Sequence, residues 1–153
     1  MPEIDPVSRL IAIEEIKQLK ARYFRCMDTK DFVGLRKVFA DDAVFDAACA
    51  FSIDPAEDAA NWIHSGGDHI AAFVESSVAP LRTVHHGHCH EIELLGENEA
   101  RGVIAMEDQI WDADGARVLH GMGHYHETYR READGWKIVT SRISRLHVIV
   151  GVE

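Results

Sequence analysis

The order of predicted helices and strands constrains the fold of this chain more than any other feature of its sequence. All of the predicted helices lie before residue 80, and from Thr83 onward the sequence shows strand patterns separated by turns. Helices followed by a run of long antiparallel strands predict an α+β fold. The 153 residues are 46% hydrophobic, which is enough for one core, so we predict a single domain over residues 1–153.

The helical part contains three predicted helices. Asp5 is suited to cap the first helix, which has a proline in its first turn and apolar residues at helical spacing from about Pro6 to Thr29. Asp31 is suited to cap a second, shorter helix, and Asp68 a third helix that ends before Pro80. The first strand is therefore expected between the second and third helices.

That first strand is centred on Val44 and Phe45, and a long connection follows it. Residues 47–67 are rich in small residues and include a proline and a Gly-Gly pair, so we interpret them as a flap, since long loops in compact domains are often functional. Further along, the segments DADG and EADG predict hairpin turns, because Gly115 and Gly135 can adopt the positive φ that such turns require.

The composition excludes several classes of partner. With 26 acidic and 16 basic residues the net charge is −10, so we expect neither nucleic acid nor a membrane surface as a partner. No signal-peptide pattern is seen at the N-terminus and no apolar run approaches about 20 residues, which predicts a cytoplasmic protein. Cys26, Cys49 and Cys89 are scattered and odd in number, which favours reduced packing cysteines.

Four segments carry a resemblance to a known family: IKQLKARYFRCMDTKDFVGLRKVFADDAVFD, VHHGHCHEIEL, ARGVIAMED and GHYHETYRREADGWKI. In this order they resemble the SnoaL-like group of the NTF2-like superfamily, in the branch of scytalone dehydratase and bile acid dehydratase. The resemblance implies an α+β cone, in which a curved antiparallel sheet wraps around the N-terminal helices and leaves an open-ended apolar pocket. It also implies a homodimer or homotrimer that needs no cofactor.

Four histidines lie within six positions of the segment TVHHGHCHEIELL. If Ile92 and Leu94 face the core, strand alternation puts three imidazoles on the same inner side, those of His86, His88 and His90. Burying imidazoles is costly unless each finds a partner or water. The pattern therefore predicts a cavity lined by polar groups.

The resemblance assigns catalytic roles by position. In the dehydratases and the dehydrochlorinase of this group, an aspartate at the end of the first helix and a strand histidine form a dyad that removes a proton from carbon. The matching pair here is Asp28 and His86, with His85 as the alternative if the strand carries a bulge. Tyr23 matches the tyrosine that polarises a substrate oxygen, although it could equally be a core aromatic.

Asp108 completes the predicted catalytic set, because it follows Ile104 and Met106 by alternation and an inward carboxylate could orient a histidine. The alternative is a solvated aspartate near the end of a strand. The sequence leaves open which face of residues 123–129 is inside, and the resemblance favours the tyrosines. Contacts to a substrate are assigned to six residues: Phe24, His85, His88, His90, Met106 and Tyr125.

The preferred hypothesis is a cofactor-independent lyase or isomerase of the dehydratase type, acting on an apolar cyclic hydroxy- or keto-bearing small molecule. Dehydration, isomerisation and hydrolysis all remain open. One rival is a zinc enzyme, since His-x-His spacing on a strand can bind zinc. The resembling group generally works without metal, and the spacing to Glu93 and Glu97 does not fit the usual pattern, so we predict none. The other rival is a non-catalytic small-molecule-binding module.

Overall fold

Three helices lie inside one curved, unclosed six-stranded sheet in the computed structural model, which describes residues 4–151. The predicted α+β architecture is confirmed. The helices are α1 (Pro6–Asp28), α2 (Phe32–Arg36) and α3 (Gly67–Val78), and a 3₁₀ turn spans Ala59–Trp62. The strands are β1 (Phe39–Asp46), β2 (Ile63–Ser65), β3 (Arg82–Leu94), β4 (Glu99–Trp111), β5 (Arg117–Glu132) and β6 (Gly135–Val150).

Helix α1 begins and ends where its capping residues predict. The Asp5 carboxylate accepts hydrogen bonds from the backbone N–H groups of Val7 and Ser8, at 3.0 and 3.1 Å. The helix ends at Asp28 because Lys30 takes a positive φ of 62° and turns the chain toward α2. Ile16 and Leu19 are fully buried on the stripe that faces the sheet.

The cap predicted for α3 is wrong by two residues. Gly66, with a φ of 94°, is the N-cap of this helix, and it provides no side-chain cap. Asp68 lies in the first turn and accepts a hydrogen bond from Arg36 Nε at 2.5 Å. Its carboxylate therefore joins α3 to α2 instead of closing the helix end.

The strands follow the spatial order β2-β1-β6-β5-β4-β3. Among the described strands all neighbouring pairs are antiparallel except β1 and β6, which are parallel. The sheet that the sequence predicts as antiparallel thus contains one parallel pairing. Strands β2 to β5 lie between β1 and β6 in the chain, so these two parallel neighbours are joined by a long crossover and not by a turn. The predicted hairpin glycines, Gly115 and Gly135, have φ values of 89° and 118°.

A β-bulge interrupts β3 at Cys89, and it decides the orientation of the histidines. His88 is opposite Ala105 and Glu91 is opposite Val103, so β3 has one more residue than β4 between these pairs. Cys89 has a φ of 51°, a left-handed conformation that is uncommon for a residue with a side chain. The extra residue reverses the alternation of side chains between the two faces of β3. Residues before the bulge therefore face the side of the sheet opposite to the one predicted by counting back from Ile92 and Leu94.

Within residues 4–151, no helix is both long enough and apolar enough to cross a membrane.

Candidate active site

His85 and Asp28 form a hydrogen-bonded pair inside the cone. The Nδ1 atom of His85 lies 2.6 Å from Asp28 Oδ1, and the backbone N–H of His85 donates to Oδ2 at 2.8 Å. Thr83 Oγ1 also donates to Oδ1, at 2.9 Å, so the carboxylate accepts three hydrogen bonds. An ionised carboxylate only accepts, so Nδ1 carries the proton, and in the neutral form of the imidazole the lone pair is then on Nε2.

The predicted inward orientation of His86 and His88 is wrong. Both are exposed on the outer face of the sheet, while the His85 side chain is only 5% exposed and lies inside. The cause is the bulge at Cys89, since alternation counted back from Ile92 and Leu94 passes through the extra residue. His85, the alternative kept for a bulged strand, is the histidine that meets Asp28. Its catalytic role stays a prediction.

His90 lies beyond the bulge and is half-buried against α1. Burial lowers its pKa, and the nearby charge of Lys17 lowers it further. Together with His86 it lines a surface cavity of about 480 Å³ behind the dyad, not the interior of the cone. Among residues 4–151, no three His, Cys, Asp or Glu side chains converge as ligands for a metal ion.

A buried ion pair lies on the other side of His85. Asp108 Oδ2 is 3.9 Å from His85 Nε2, and both oxygens of Asp108 accept from Arg145, at 2.7 and 2.9 Å. Arg145 also donates twice to the carbonyl oxygen of Ala50 in the flap, at 3.0 and 2.9 Å. This arginine, which is 6% exposed, was missed by sequence reasoning. The sequence feature that could have identified it is its spacing: Arg145 lies two residues after the buried Ile143 on β6, so both side chains point to the same face.

Gly121 makes this ion pair possible. A Cβ atom there would lie 2.5 Å from Arg145 Nη1 and 2.8 Å from Asp108 Oδ1. Any side chain at this position would therefore push the two groups apart.

Two phenols complete the polar groups at the cavity. The rings of Tyr23 and Tyr125 meet edge to face, with centroids 5.8 Å apart. Burial raises the pKa of both phenols, so both stay protonated hydrogen-bond donors over the neutral pH range. Phe24 stacks against the His85 ring at 5.8 Å, with an interplanar angle of 10°. Tyr125 and Tyr129 are both buried, so the tyrosines form the inner face of β5, the face that the resemblance favours and the sequence alone left open.

These groups line an internal cavity of about 330 Å³. Its polar residues are Tyr23, His85, Asp108, Tyr125, Arg145 and Ser77, and its largest apolar residues are Phe45, Phe51, Trp62, Phe73, Ile110, Leu119 and Ile143. Four residues with predicted substrate contacts do not line this cavity, namely Phe24, His88, His90 and Met106, and their contacts stay predictions. Phe24 instead supports His85, and Met106 lies under Arg145, with its sulfur 3.3 Å from Nη1.

Gly87 allows Phe24 to lie against His85. A Cβ atom at this position would come within 2.3 Å of Phe24 Cε2, so Gly87→Ala forces the ring away from the imidazole. We expect a loss of about 1–3 kcal/mol in the free energy of unfolding, measured by urea denaturation. Gly96→Ala is the control, because nothing lies within 4 Å of the added atom. Equal effects of the two substitutions would contradict the packing role of Gly87.

We expect all tyrosines to ionise together when the protein unfolds at high pH. The chain has three tyrosines, all buried, and burial raises the pKa of each. An unfolded tyrosine has a pKa of about 10, and a higher pKa in the folded protein means that the buried phenol stabilises the fold. This contribution to the free energy of unfolding is complete below about pH 10. Above that pH it falls by about 1.4 kcal/mol per pH unit for each phenol. Lys20 acts in the opposite sense because burial lowers its pKa, but one ammonium does not cancel three phenols.

The measurement is phenolate absorbance at 295 nm, followed alongside far-ultraviolet circular dichroism. We expect one transition in which phenolate appears as the fold is lost, and Tyr129→Phe should remove about a third of its amplitude. Phenolate formation while the circular dichroism is still native would show that a tyrosine is accessible in the folded protein.

The fold and the site together define an α+β cone whose cavity is lined by a strand histidine, and that histidine is paired with an aspartate at the end of the first helix. The chain belongs to the SnoaL-like domain family, whose model matches residues 8–142. The recognition of this superfamily from the sequence is confirmed.

Solved structures with low sequence identity share the fold over nearly the whole chain. A candidate scytalone dehydratase from Novosphingobium aromaticivorans is 16% identical, with a TM-score of 0.81 over 97% of this chain and 96% of its own. A type 3 hexachlorocyclohexane dehydrochlorinase from Novosphingobium barchaimii is 15% identical, with a TM-score of 0.76 over 95% and 94%. A protein of unknown function from Mycobacterium tuberculosis is 23% identical, with a TM-score of 0.74 over 92% and 76%. At these identities the likeness establishes the cone fold.

Proposed function

We propose that this protein is a cofactor-independent lyase or isomerase of the dehydratase type, which abstracts a proton next to a carbonyl group in an apolar cyclic molecule. The observation that carries the proposal is the Asp28–His85 pair, at 2.6 Å, beside an apolar cavity. A binding module needs an apolar cavity but no base. The names of structurally similar proteins, a dehydratase and a dehydrochlorinase, agree with elimination chemistry.

His85 Nε2 is the proposed base. Asp28 holds the proton on Nδ1, which orients the ring and stabilises the imidazolium that forms when Nε2 takes a proton. Asp108, 3.9 Å from Nε2, adds a second carboxylate beside that imidazolium. The charge of Asp108 is already balanced by Arg145, which leaves the Asp28 carboxylate to pair with the imidazolium that forms.

Tyr23 and Tyr125 are the proposed donors to the substrate oxygen. When the C–H bond breaks, its electron pair moves toward the carbonyl and the oxygen becomes an enolate. Protonated phenols that donate to that oxygen stabilise the developing negative charge more than they stabilise the neutral ketone. This difference lowers the barrier to proton abstraction. Burial keeps both phenols protonated, since it raises the pKa of each.

Two outcomes of the enolate are consistent with the site. In a β-hydroxy ketone the enolate electrons expel the hydroxyl group, which leaves as water with the proton that His85 has taken. In an unsaturated ketone the same proton returns to a different carbon and the double bond moves. Both outcomes need water kept out, and the flap is held over the site by the bonds from Arg145 to Ala50.

The proposed substrate is neutral. Arg145 is the only lysine or arginine among the described residues that line the cavity, and its donors are taken by Asp108 and Ala50. No cation is therefore left to pair with a carboxylate or phosphate. An anion here would lie near Asp108 in an apolar cavity, which is costly.

The test is deuterium exchange at the carbon next to a carbonyl. A panel of neutral bicyclic ketones that includes 2-tetralone is incubated with the protein in D₂O, and loss of the α-proton signal is followed by NMR. We expect exchange above the buffer rate for the neutral ketones and not for carboxylated analogues of the same size. Leu119→Trp, which adds volume at a cavity-lining position outside the dyad, is the control and should abolish the acceleration.

Binding is measured separately, by the change in tryptophan fluorescence, since Trp62 lines the cavity. Ketones that bind saturably while their α-protons exchange at the buffer rate would contradict the enzymatic proposal. That result would favour the non-catalytic binding module.

A further inference from the structure

Lys20 is a buried cation that the proposed chemistry does not use. It lies on α1, one turn before Tyr23, and its side chain and that of its partner Glu127 are both 0% exposed. Its Nζ atom is 2.6 Å from Glu127 Oε1, across 107 residues of sequence. Burial lowers the pKa of Lys20, and the charge and hydrogen bond of Glu127 oppose that shift.

Glu127 is itself held in place by two hydroxyl groups. Ser141 Oγ donates to Oε1 at 2.8 Å, and the phenol of Tyr129 donates to Oε2 at 2.6 Å. With Lys20 the carboxylate therefore accepts three hydrogen bonds from three different elements. This arrangement fixes the position of the ammonium group.

The ammonium group lies against the aromatic rings that surround the dyad. It is 3.4 Å from the centroid of the Tyr125 ring, 4.0 Å from that of Tyr23 and 4.9 Å from that of Phe24. Tyr23 and Tyr125 line the cavity, and Phe24 stacks on His85. One charged atom thus contacts both proposed oxygen donors and the ring behind the base.

Stability alone is a poor explanation for such a pair. Desolvating two charges costs about as much as their attraction returns, and apolar replacements of buried pairs are often neutral or stabilising. A cation on the face of an aromatic ring, in contrast, attracts the ring's electron density. In a phenol that withdrawal makes the O–H group a stronger donor, and a ring held between an ammonium and a second ring cannot rotate away.

We propose that Lys20 is a positioning residue for the oxygen site: its buried ammonium, fixed by Glu127, holds the Tyr23 and Tyr125 phenols at the cavity and polarises them as hydrogen-bond donors. The assignment of these phenols to a substrate oxygen rests on the proposed function. The effect on the phenols themselves does not, and it can be measured without a substrate.

The test compares the wild type with Lys20→Met alone and with Lys20→Met combined with Glu127→Gln. The single substitution leaves the Glu127 carboxylate buried without its cation, while the pair removes both charges and keeps an acceptor for Tyr129 and Ser141. The readout is the ¹³Cζ resonance of labelled tyrosine. Only three such resonances exist, and Tyr→Phe variants at positions 23, 125 and 129 assign them.

We expect the Tyr23 and Tyr125 resonances to move upfield in the doubly substituted protein, because less polarised phenols have less phenolate character. Deuterium exchange of 2-tetralone should fall by about 2- to 30-fold in kcat with little change in KM, as expected for a cation–π contribution that acts on the transition state. Lys17→Met, on the same helix one turn earlier, is the matched control and should leave both readouts unchanged.

Unchanged Tyr23 and Tyr125 resonances in a folded double variant would overturn the proposal. So would failure of both Lys20 variants to fold, since the ammonium would then be a structural requirement only. If the wild type exchanges no ketone, the proposed function fails while the tyrosine resonances still decide the role of Lys20. The two failures are therefore distinguishable.

Discussion

Alanine in place of His85 will lower the rate of ketone α-proton exchange by about 10²- to 10⁴-fold, the contribution typical of a general base. The imidazole is 2.6 Å from Asp28 and lines the cavity, and its removal leaves there only the Asp108 carboxylate, both of whose oxygens are held by Arg145. Binding should be retained, because most of the cavity is apolar and unchanged. The measurement is the exchange rate at saturating ketone, with affinity taken from tryptophan fluorescence.

His86→Ala is the matched control, since it removes the neighbouring imidazole from the outer face of the same strand. It should change the rate by less than about twofold, as a surface substitution does. Asp28→Asn should slow exchange while leaving affinity intact, because an amide can donate to Nδ1 and favour the wrong tautomer. A His86 variant that loses activity while the His85 variant keeps it would refute the assignment of the base.

Methionine in place of Arg145 will destabilise the protein by about 3–5 kcal/mol, because it leaves the Asp108 carboxylate buried without its partner. Asp108 is 4% exposed and both of its oxygens accept from this arginine. For a chain of this length the loss corresponds to a fall in Tm on the order of 10 °C. Urea denaturation at neutral pH measures the effect directly.

The pair Asp108→Asn with Arg145→Met should recover most of that loss, since no charge is then left buried. Any remaining deficit reports the hydrogen bonds from Arg145 to Ala50 in the flap. Arg101→Met is the control: Arg101 pairs with Glu93 at 2.6 Å, but both side chains are more than half exposed. It should cost less than about 1 kcal/mol. If Arg145→Met and Arg101→Met lower the free energy of unfolding by similar amounts, the loss is not caused by burial of the Asp108 carboxylate.

The architecture was predictable because it depends on patterns that are local in sequence. The cap at Asp5, the helical spacing of apolar residues and the turn glycines each act over a few residues, and each predicted its element. The parallel pairing of β1 with β6 was missed, because strand direction depends on how the whole chain returns to the sheet.

The candidate site was predictable in its residue types and less so in its positions. Asp28, Tyr23, Asp108 and Tyr125 are all placed at or beside the cavity. The histidine that pairs with Asp28 is His85, the alternative, and not the preferred His86, since a single bulge at Cys89 inverts the orientation of the side chains before it and no turn signal marks the bulge in the sequence. A bulge is defined by the pairing of two strands, so the sequence of β3 alone does not show which residue is the extra one.

The sequence by itself determined the α+β order, the family and the supply of carboxylate, imidazole and phenol groups. Only the tertiary structure decided which of them meet. Asp28 and His85 are 57 residues apart, Asp108 and Arg145 are 37 apart, and Lys20 and Glu127 are 107 apart. The physical reason is that each buried charge is tolerable only beside its partner, and strand register, not local sequence, brings the partners together.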